Sequence, residues 1–189
     1  MSNADDGLAF MLKRENITWY QEGAVRILDR RVYPRKIEFV VCENYDEVAQ
    51  ASADMGVPVA VVTDNMPGYL LSQHIPDVFI CAADVVTLDG RVVNKIGTYQ
   101  IALAAHENNV PFYVTSTPSA DNPTIDTVTI EERDPEDVLH AMGIRTTIGG
   151  VKGYYPAFDI TPPKLVSAVV TEKGVFSPYD LKKYWQTDY

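Results

Sequence analysis

The stretch VFICAADVVTLDGRVVNKIGTYQIALAAHENNVPFYVT, residues 78–115, decides the fold of this chain. It begins with an apolar run at residues 78–83 and ends with another at residues 110–115, and both have the length and composition of buried strands. Between them, an Asp-Gly pair at residues 89–90 indicates a tight turn. A helical pattern then continues from about residue 97 to residue 109. A strand, a polar edge, a helix and a second strand in this order predict a βαβ unit.

Three polar side chains stand where this unit is expected to bind a ligand. Asp84 ends the first apolar run, and Asn94 and Lys95 come just before the helical pattern. In open α/β sheets, ligands bind at the carboxyl ends of the parallel strands. We therefore expect Asp84, Asn94 and Lys95 to converge at that edge. Asp64 and Asn65 are expected at the same edge, although turn formation explains them equally well.

Each of the three residues also has an interpretation without function. An Asp that ends an apolar run must be solvated, hydrogen-bonded or functional, so Asp84 could simply cap the turn ahead of the Asp-Gly pair. Asn94 could be a helix cap beside a solvated Lys95. Together, however, Asn94 and Lys95 at a helix N-terminus suit a phosphate or a sugar hydroxyl, because free N–H groups and a partial positive charge lie there. The pattern alone leaves these alternatives open.

Composition and charge limit the class of protein. With 189 residues, the chain can bury one core, or one core and a small appended lobe. The formal net charge of −10 argues against nucleic acid or an anionic membrane as a partner. No apolar run approaches the roughly 18 residues of a membrane span. The acidic start lacks the basic residues of an export signal, so a cytoplasmic location is expected.

The cysteines and histidines show no ligand pattern. Cys42 and Cys81 lie in apolar, strand-like runs and are expected to be buried thiols rather than a disulfide. His74, His106 and His140 are scattered without the spacing of metal ligands. A metal site is therefore not expected.

The overall prediction is an α/β fold: a Rossmann-like, mostly parallel sheet flanked by helices, with a small N-terminal β-hairpin lobe. The N-terminal lobe, residues 1–55, is predicted to contain a polar lead-in (1–14), a β-hairpin (17–29), a strand (37–42) and a helix (45–55). The C-terminal Rossmann-like domain, residues 56–189, is predicted to contain further strands at 57–63 and 127–131, helices from residue 69 and at 134–142, and a helix or strand at 164–171.

Several strings resemble the methylthioribose-1-phosphate isomerase family. The most specific is NKIGTY at residues 94–99, about ten residues after the strand-end Asp84. The others are VTDNMPGYL (62–70), YPAFDITPP (155–163), VTEKGV (170–175) and the opening ITWYQEGAVRILDRRVYP (17–34). The superfamily also includes ribose-1,5-bisphosphate isomerases and the regulatory subunits of a translation-initiation nucleotide-exchange factor.

The resemblance implies an activity and roles for three residues. The activity would be aldose-to-ketose isomerisation of a 1-phosphorylated pentose in methionine salvage, by a homodimer that needs no metal or nucleotide. Asp84 aligns with the family's catalytic acid, and Asn94 and Lys95 align with residues that contact the substrate. Because the anomeric oxygen is phosphorylated, an acid must protonate the ring oxygen before hydrogen moves from C2 to C1. A carboxylic acid in an apolar pocket can stay protonated near neutral pH for that purpose.

The chain departs from the family pattern in several respects. Val85 stands where the family usually has Arg. The family's Thr-x-Cys-Asn motif, its Arg-Gly-Ala-Pro phosphate loop and its Gln-Gly segment have no counterpart, and roughly half of a typical member's length is absent between about residues 51 and 56. These departures support a second hypothesis, a non-catalytic sugar-phosphate-binding or assembly module of the same superfamily.

Overall fold

The computed structural model describes the backbone of four N-terminal strands and the whole of residues 62–186. The N-terminal strands are β1 (Ala9–Leu12), β2 (Trp19–Glu22), β3 (Val25–Leu28) and β4 (Ile37–Val41). The remaining strands and helices are α1 (Pro67–Ser72), β5 (Val78–Ala82), β6 (Val85–Val86), β7 (Val92–Lys95), α2 (Thr98–Glu107), β8 (Phe112–Thr115), β9 (His140–Ala141), β10 (Ile144–Arg145), β11 (Phe158–Thr161), β12 (Ala168–Thr171) and β13 (Gly174–Phe176).

Six of the described strands form the main sheet, in the order β13-β12-β8-β5-β1-β4. The three strands β12, β8 and β5 are parallel to one another, and β13, β1 and β4 add antiparallel pairs on either side. The predicted βαβ unit is confirmed, since β5 and β8 are parallel neighbours joined through α2. The predicted α/β fold is likewise confirmed, and the sheet is mixed because only its central strands are linked by the long connections that parallel pairing needs.

The core lies between β5, β8 and α2. Four consecutive residues of β5 are buried, as expected for a strand covered on both faces. The rings of Phe79 and Phe112, which face each other in the register of β5 and β8, are stacked with their centroids 4.4 Å apart. Cys81 is a buried free thiol, as predicted, and burial raises the pKa of that thiol.

The hairpin predicted at the Asp-Gly pair is confirmed. Strands β6 and β7 pair antiparallel, and together with β11 they form a three-stranded sheet in the order β11-β7-β6. The turn is closed by hydrogen bonds from the N–H of Thr87 to the carbonyl of Arg91 and from the N–H of Gly90 to the carbonyl of Thr87, both 3.0 Å. Gly90 has a φ of +87°, and a Cβ there would lie 2.0 Å from the carbonyl oxygen of Pro178. Position 90 therefore requires glycine for two reasons: the backbone is left-handed, and there is no room for a Cβ.

Gly90→Ala is expected to destabilise the fold by about 2–3 kcal/mol, because left-handed backbone and steric overlap both contribute. Gly143→Ala is the matched control: its φ of +76° is similar, but nothing lies within 4 Å of a Cβ there. It should cost only about 1 kcal/mol. Urea unfolding of both variants measures the difference. Equal losses would show that the contact with Pro178 contributes nothing.

The N-terminal region is more closely joined to the main sheet than predicted. Residues 9–12, which were expected to belong to a polar lead-in, form β1 and pair antiparallel with both β4 and β5. That prediction was wrong because the four-residue run AFML is too short to stand out beside the acidic residues before it. The predicted hairpin is confirmed, since β2 and β3 pair antiparallel in a two-stranded sheet of their own.

Two predictions after β8 are wrong. In place of a strand at 127–131 there is a single 3-10 turn, Ile125–Thr127. In place of a helix at 134–142 there is a 3-10 turn, Asp137–Leu139, followed by the hairpin of β9 and β10. Met142 and Gly143 form its two-residue turn, with φ of +53° and +76°. The Gly expected to end a helix thus serves a turn that needs two positive φ values.

Several predictions lie outside the described residues: the helix at 45–55, nearly all of the strand at 57–63, and Cys42. The domain boundary after residue 55 stays a prediction for the same reason. The run at 164–171 is resolved as a 3-10 turn, Pro163–Leu165, and strand β12. Within the described part of the chain, no helix has the length and apolarity to cross a membrane.

Candidate functional site

Asn94 and Lys95 are the last two residues of strand β7, whereas a position at the N-terminus of a helix was predicted. Helix α2 begins only at Thr98, after Gly97 with a φ of +109°. The ladder with β11 continues to Lys95, which lies opposite Phe158. The two β-branched residues before Asn94 favour this extended backbone.

Asn94 is held in the interior, with 1% of its surface exposed. Its amide Nδ2 donates to the hydroxyl oxygen of Thr98 at 2.9 Å, and that hydroxyl donates to the carbonyl of Lys95 at 2.9 Å. The Oδ1 of Asn94 is buried without a hydrogen-bond partner among the described residues. In this structure the Asn94 side chain therefore connects the end of β7 to the first residue of α2.

Lys95 lies on the other face of the same strand. Consecutive residues of a strand point to opposite faces, and directly paired residues share a face. The Nζ of Lys95 accordingly lies 5.3 Å from the ring centroid of Phe158, its partner on β11, within the range of a cation–π interaction. This Nζ is a buried atom. Strand geometry thus directs the two side chains to opposite faces of β7, and their convergence on one ligand stays a prediction.

Asp84 lies between β5 and β6, and its side chain is exposed. Its N–H donates to the carbonyl of Val93 at 3.1 Å, although the register places Val85 opposite Val93. This hydrogen bond joins the residue before β6 to strand β7, so the backbone of Asp84 is fixed by the hairpin. The described residues do not enclose the Asp84 carboxylate in the apolar pocket that was expected for a protonated acid.

The structure adds Asp159, which sequence reasoning missed. Asp159 lies opposite Asn94 in the β11–β7 register, so both side chains share a face. Its Oδ2 accepts the N–H of Gly97 at 2.7 Å, and its two oxygens accept the N–H of Tyr99 at 3.0 and 3.1 Å. Burial raises the pKa of the Asp159 carboxyl, and the hydrogen bonds from Tyr99 and Gly97 oppose that rise.

A signal for Asp159 was present in the sequence. It lies in the string FDIT, where a charged residue stands between two apolar residues of a predicted sheet protein. Asp is uncommon within strands, so its presence there needs a reason. What the string does not contain is its partner, because Gly97 is 62 residues away.

Asp159 also changes the prediction for the helix N-terminus. Free N–H groups were expected there for a phosphate, yet two of them, from Gly97 and Tyr99, donate to a carboxylate of the chain itself. Burial is the main cause of the raised pKa of the Cys81 thiol, and the negative charges of Asp159 and Asp84 raise that pKa further. Asp84 follows the last residue of β5, Ala82, by two positions, at the edge of the sheet where the ligand site was predicted. Among the residues from 62 to 186, no three His, Cys, Asp or Glu side chains form a group that could hold a metal ion.

Comparison with known proteins gives consistent matches. Residues 39–178 match the Initiation factor 2 subunit family. A methylthioribose-1-phosphate isomerase of Acetivibrio thermocellus is 45% identical over 134 residues, which are 68% of this chain and 39% of that protein. The chain thus spans about two fifths of the length of such relatives.

Two solved structures are similar in fold as well as in sequence. The 5-methylthioribose 1-phosphate isomerase of Pyrococcus horikoshii OT3 has a TM-score of 0.68 and 33% identity, over 75% of this chain and 41% of that one. The translation initiation factor eIF-2B subunit delta of A. fulgidus has a TM-score of 0.67 and 34% identity, over 74% of this chain and 42% of that one.

Proposed function

The chain belongs to the Initiation factor 2 subunit family, and from that premise we propose that it acts as a sugar-phosphate isomerase. The substrate would be S-methyl-5-thioribose-1-phosphate and the product S-methyl-5-thioribulose-1-phosphate, in methionine salvage. The observation that carries this proposal is the 45% identity to a relative named methylthioribose-1-phosphate isomerase. Because the chain spans 39% of that relative, the complete activity is itself part of the proposal.

In the proposed mechanism, Asp84 is the acid. It protonates the ring oxygen as the bond from that oxygen to C1 breaks, and a hydride then moves from C2 to the electron-poor C1. The C2 hydroxyl becomes the ketone by releasing its proton to solvent, from which the Asp84 carboxylate is protonated again. The position of Asp84 after β5 supports this role, since ligands of α/β proteins bind at such strand ends. The Asp84 side chain is exposed, so it must become buried when substrate is bound. A carboxyl group stays protonated near neutral pH only in an apolar environment.

Lys95 is proposed as the cation that attracts the substrate phosphate. Its Nζ is buried beside the Phe158 ring, and a charge in such surroundings acts on a nearby anion more strongly than one in water. Asn94 is proposed to contact the substrate through its Oδ1, which has no hydrogen-bond partner among the described residues, while its Nδ2 donates to Thr98.

The first test is conversion of methylthioribose-1-phosphate by the purified protein, followed by ³¹P NMR. Turnover is expected, and Lys95→Met should raise KM about tenfold or more, because a charge-assisted contact to phosphate is lost. Lys182→Met is the matched control, since Lys182 is exposed and distant in sequence from the site. A protein that neither converts nor binds the sugar phosphate would overturn the proposal.

A second candidate function is a non-catalytic sugar-phosphate-binding or assembly module. It is favoured by the likeness to the initiation factor subunit of A. fulgidus, and by the absence from the sequence of the Thr-x-Cys-Asn motif. Binding of methylthioribose-1-phosphate without turnover, measured by calorimetry, would select this candidate. The homodimer and the cytoplasmic location stay predictions, and sedimentation equilibrium tests the first of them.

A further inference from the structure

The Asp159 carboxylate occupies a place that is otherwise suited to an anion. The N-terminus of a helix binds phosphate through free N–H groups and the helix dipole. At α2, the N–H groups of Gly97 and Tyr99 both donate to Asp159. Tyr99 is 39% exposed, so the first turn of α2 lies partly at the surface. The Asp159 carboxylate takes two donors of this helix end and places a negative charge there.

The same residue fixes the turn that follows Lys95. The N–H of Ile96 donates to the carbonyl of Ala157 at 2.9 Å, and Asp159 holds the next N–H, that of Gly97, at 2.7 Å. Ala157, just before β11, and Asp159 on β11 therefore hold two successive N–H groups of the turn. The Asn94 amide, on the same face of the sheet as Asp159, donates to the hydroxyl of Thr98. The backbone that carries Lys95 is thus set by contacts from β11 and from Asn94.

We propose that Asp159 is a positioning residue that closes the N-terminus of helix α2 to the substrate phosphate and fixes the β7–α2 turn, so that the phosphate is directed to Lys95. This inference rests on the proposed function as far as the sugar phosphate is concerned. The structural part of the inference is that a carboxylate from β11 closes the helix end to anions. This part can be tested in the absence of turnover.

The test compares Asp159→Asn with the unaltered protein. Asn has the same shape but no charge, so the substitution removes the negative charge that keeps an anion away from this helix end. Each protein is titrated with inorganic phosphate, and the ¹⁵N-resolved amide signals of Gly97 and Tyr99 are followed by NMR. In the unaltered protein these two signals should not respond in a saturable way. In Asp159→Asn they should shift saturably, with at least about threefold tighter apparent binding there.

Asp121→Asn is the matched control, because it removes one negative charge from an exposed position. It should leave the Gly97 and Tyr99 signals unresponsive to phosphate, which separates a local effect from a change in net charge. The inference is overturned if these amides respond equally in the unaltered protein, or if they stay unresponsive in an Asp159→Asn protein whose remaining spectrum is that of the folded chain.

Kinetics separate this inference from the proposed function. If the unaltered protein turns over substrate, Asp159→Asn should lower kcat without raising KM, because phosphate gains an unproductive position near α2. Unchanged kcat and KM would overturn the inference and leave the isomerase proposal intact. If no protein turns over substrate but the amide signals behave as expected, the isomerase proposal fails and closure of the helix end by Asp159 stands.

Discussion

Asp84→Asn is expected to lower kcat for methylthioribose-1-phosphate by about 10²- to 10⁴-fold, the usual contribution of a general acid. An amide has the shape of the carboxyl group but cannot deliver a proton to the ring oxygen. KM should change little, because the proposed phosphate contact is made by Lys95 and not by Asp84. The prediction is checked by steady-state kinetics at several pH values.

Two comparisons sharpen the Asp84 experiment. Asp121→Asn, the same chemical change at an exposed position, should retain the activity of the unaltered protein. Unfolding by urea shows whether Asp84→Asn remains folded, which is expected because Asp84 contributes its backbone N–H to the β6–β7 hairpin. An Asp84→Asn protein that is folded and fully active would remove Asp84 from the mechanism.

Phe112→Ala is expected to destabilise the chain by about 3–5 kcal/mol, the usual loss for a large aromatic ring in a core. Phe112 is 1% exposed and stacks on Phe79, so its ring joins the two parallel strands β5 and β8. Removing it leaves a cavity under the strand that ends beside Asp84. Urea unfolding followed by far-UV circular dichroism measures the loss.

Tyr113→Ala is the matched control on the same strand, because Tyr113 is only partly buried. Its loss should be clearly smaller than that of Phe112→Ala. The double variant Phe79→Ala/Phe112→Ala should show a coupling of about 0.5–1.5 kcal/mol from ring stacking. A loss for Phe112→Ala no greater than that for Tyr113→Ala would contradict the position of the ring in the core.

The sequence by itself determined the βαβ unit and the family. The runs at residues 78–83 and 110–115 are short, apolar and bounded by turn residues. These three properties together predict buried strands. The Asp-Gly pair likewise determines its turn, because the φ of +87° at Gly90 is a local property of glycine. Both features depend only on residues that are close together in the sequence, so they can be predicted from the sequence.

Only the tertiary structure decided how the predicted site residues are arranged. Asn94 and Lys95 are neighbours in sequence, but their side chains separate because β7 extends to Lys95 in its pairing with β11. Asp159 reaches the start of α2 from 62 residues away. The strand β1 likewise becomes part of the main sheet through partners on both sides. Each outcome depends on hydrogen bonds between segments distant in the chain, and the pairing partner of such a bond is not written in the local sequence.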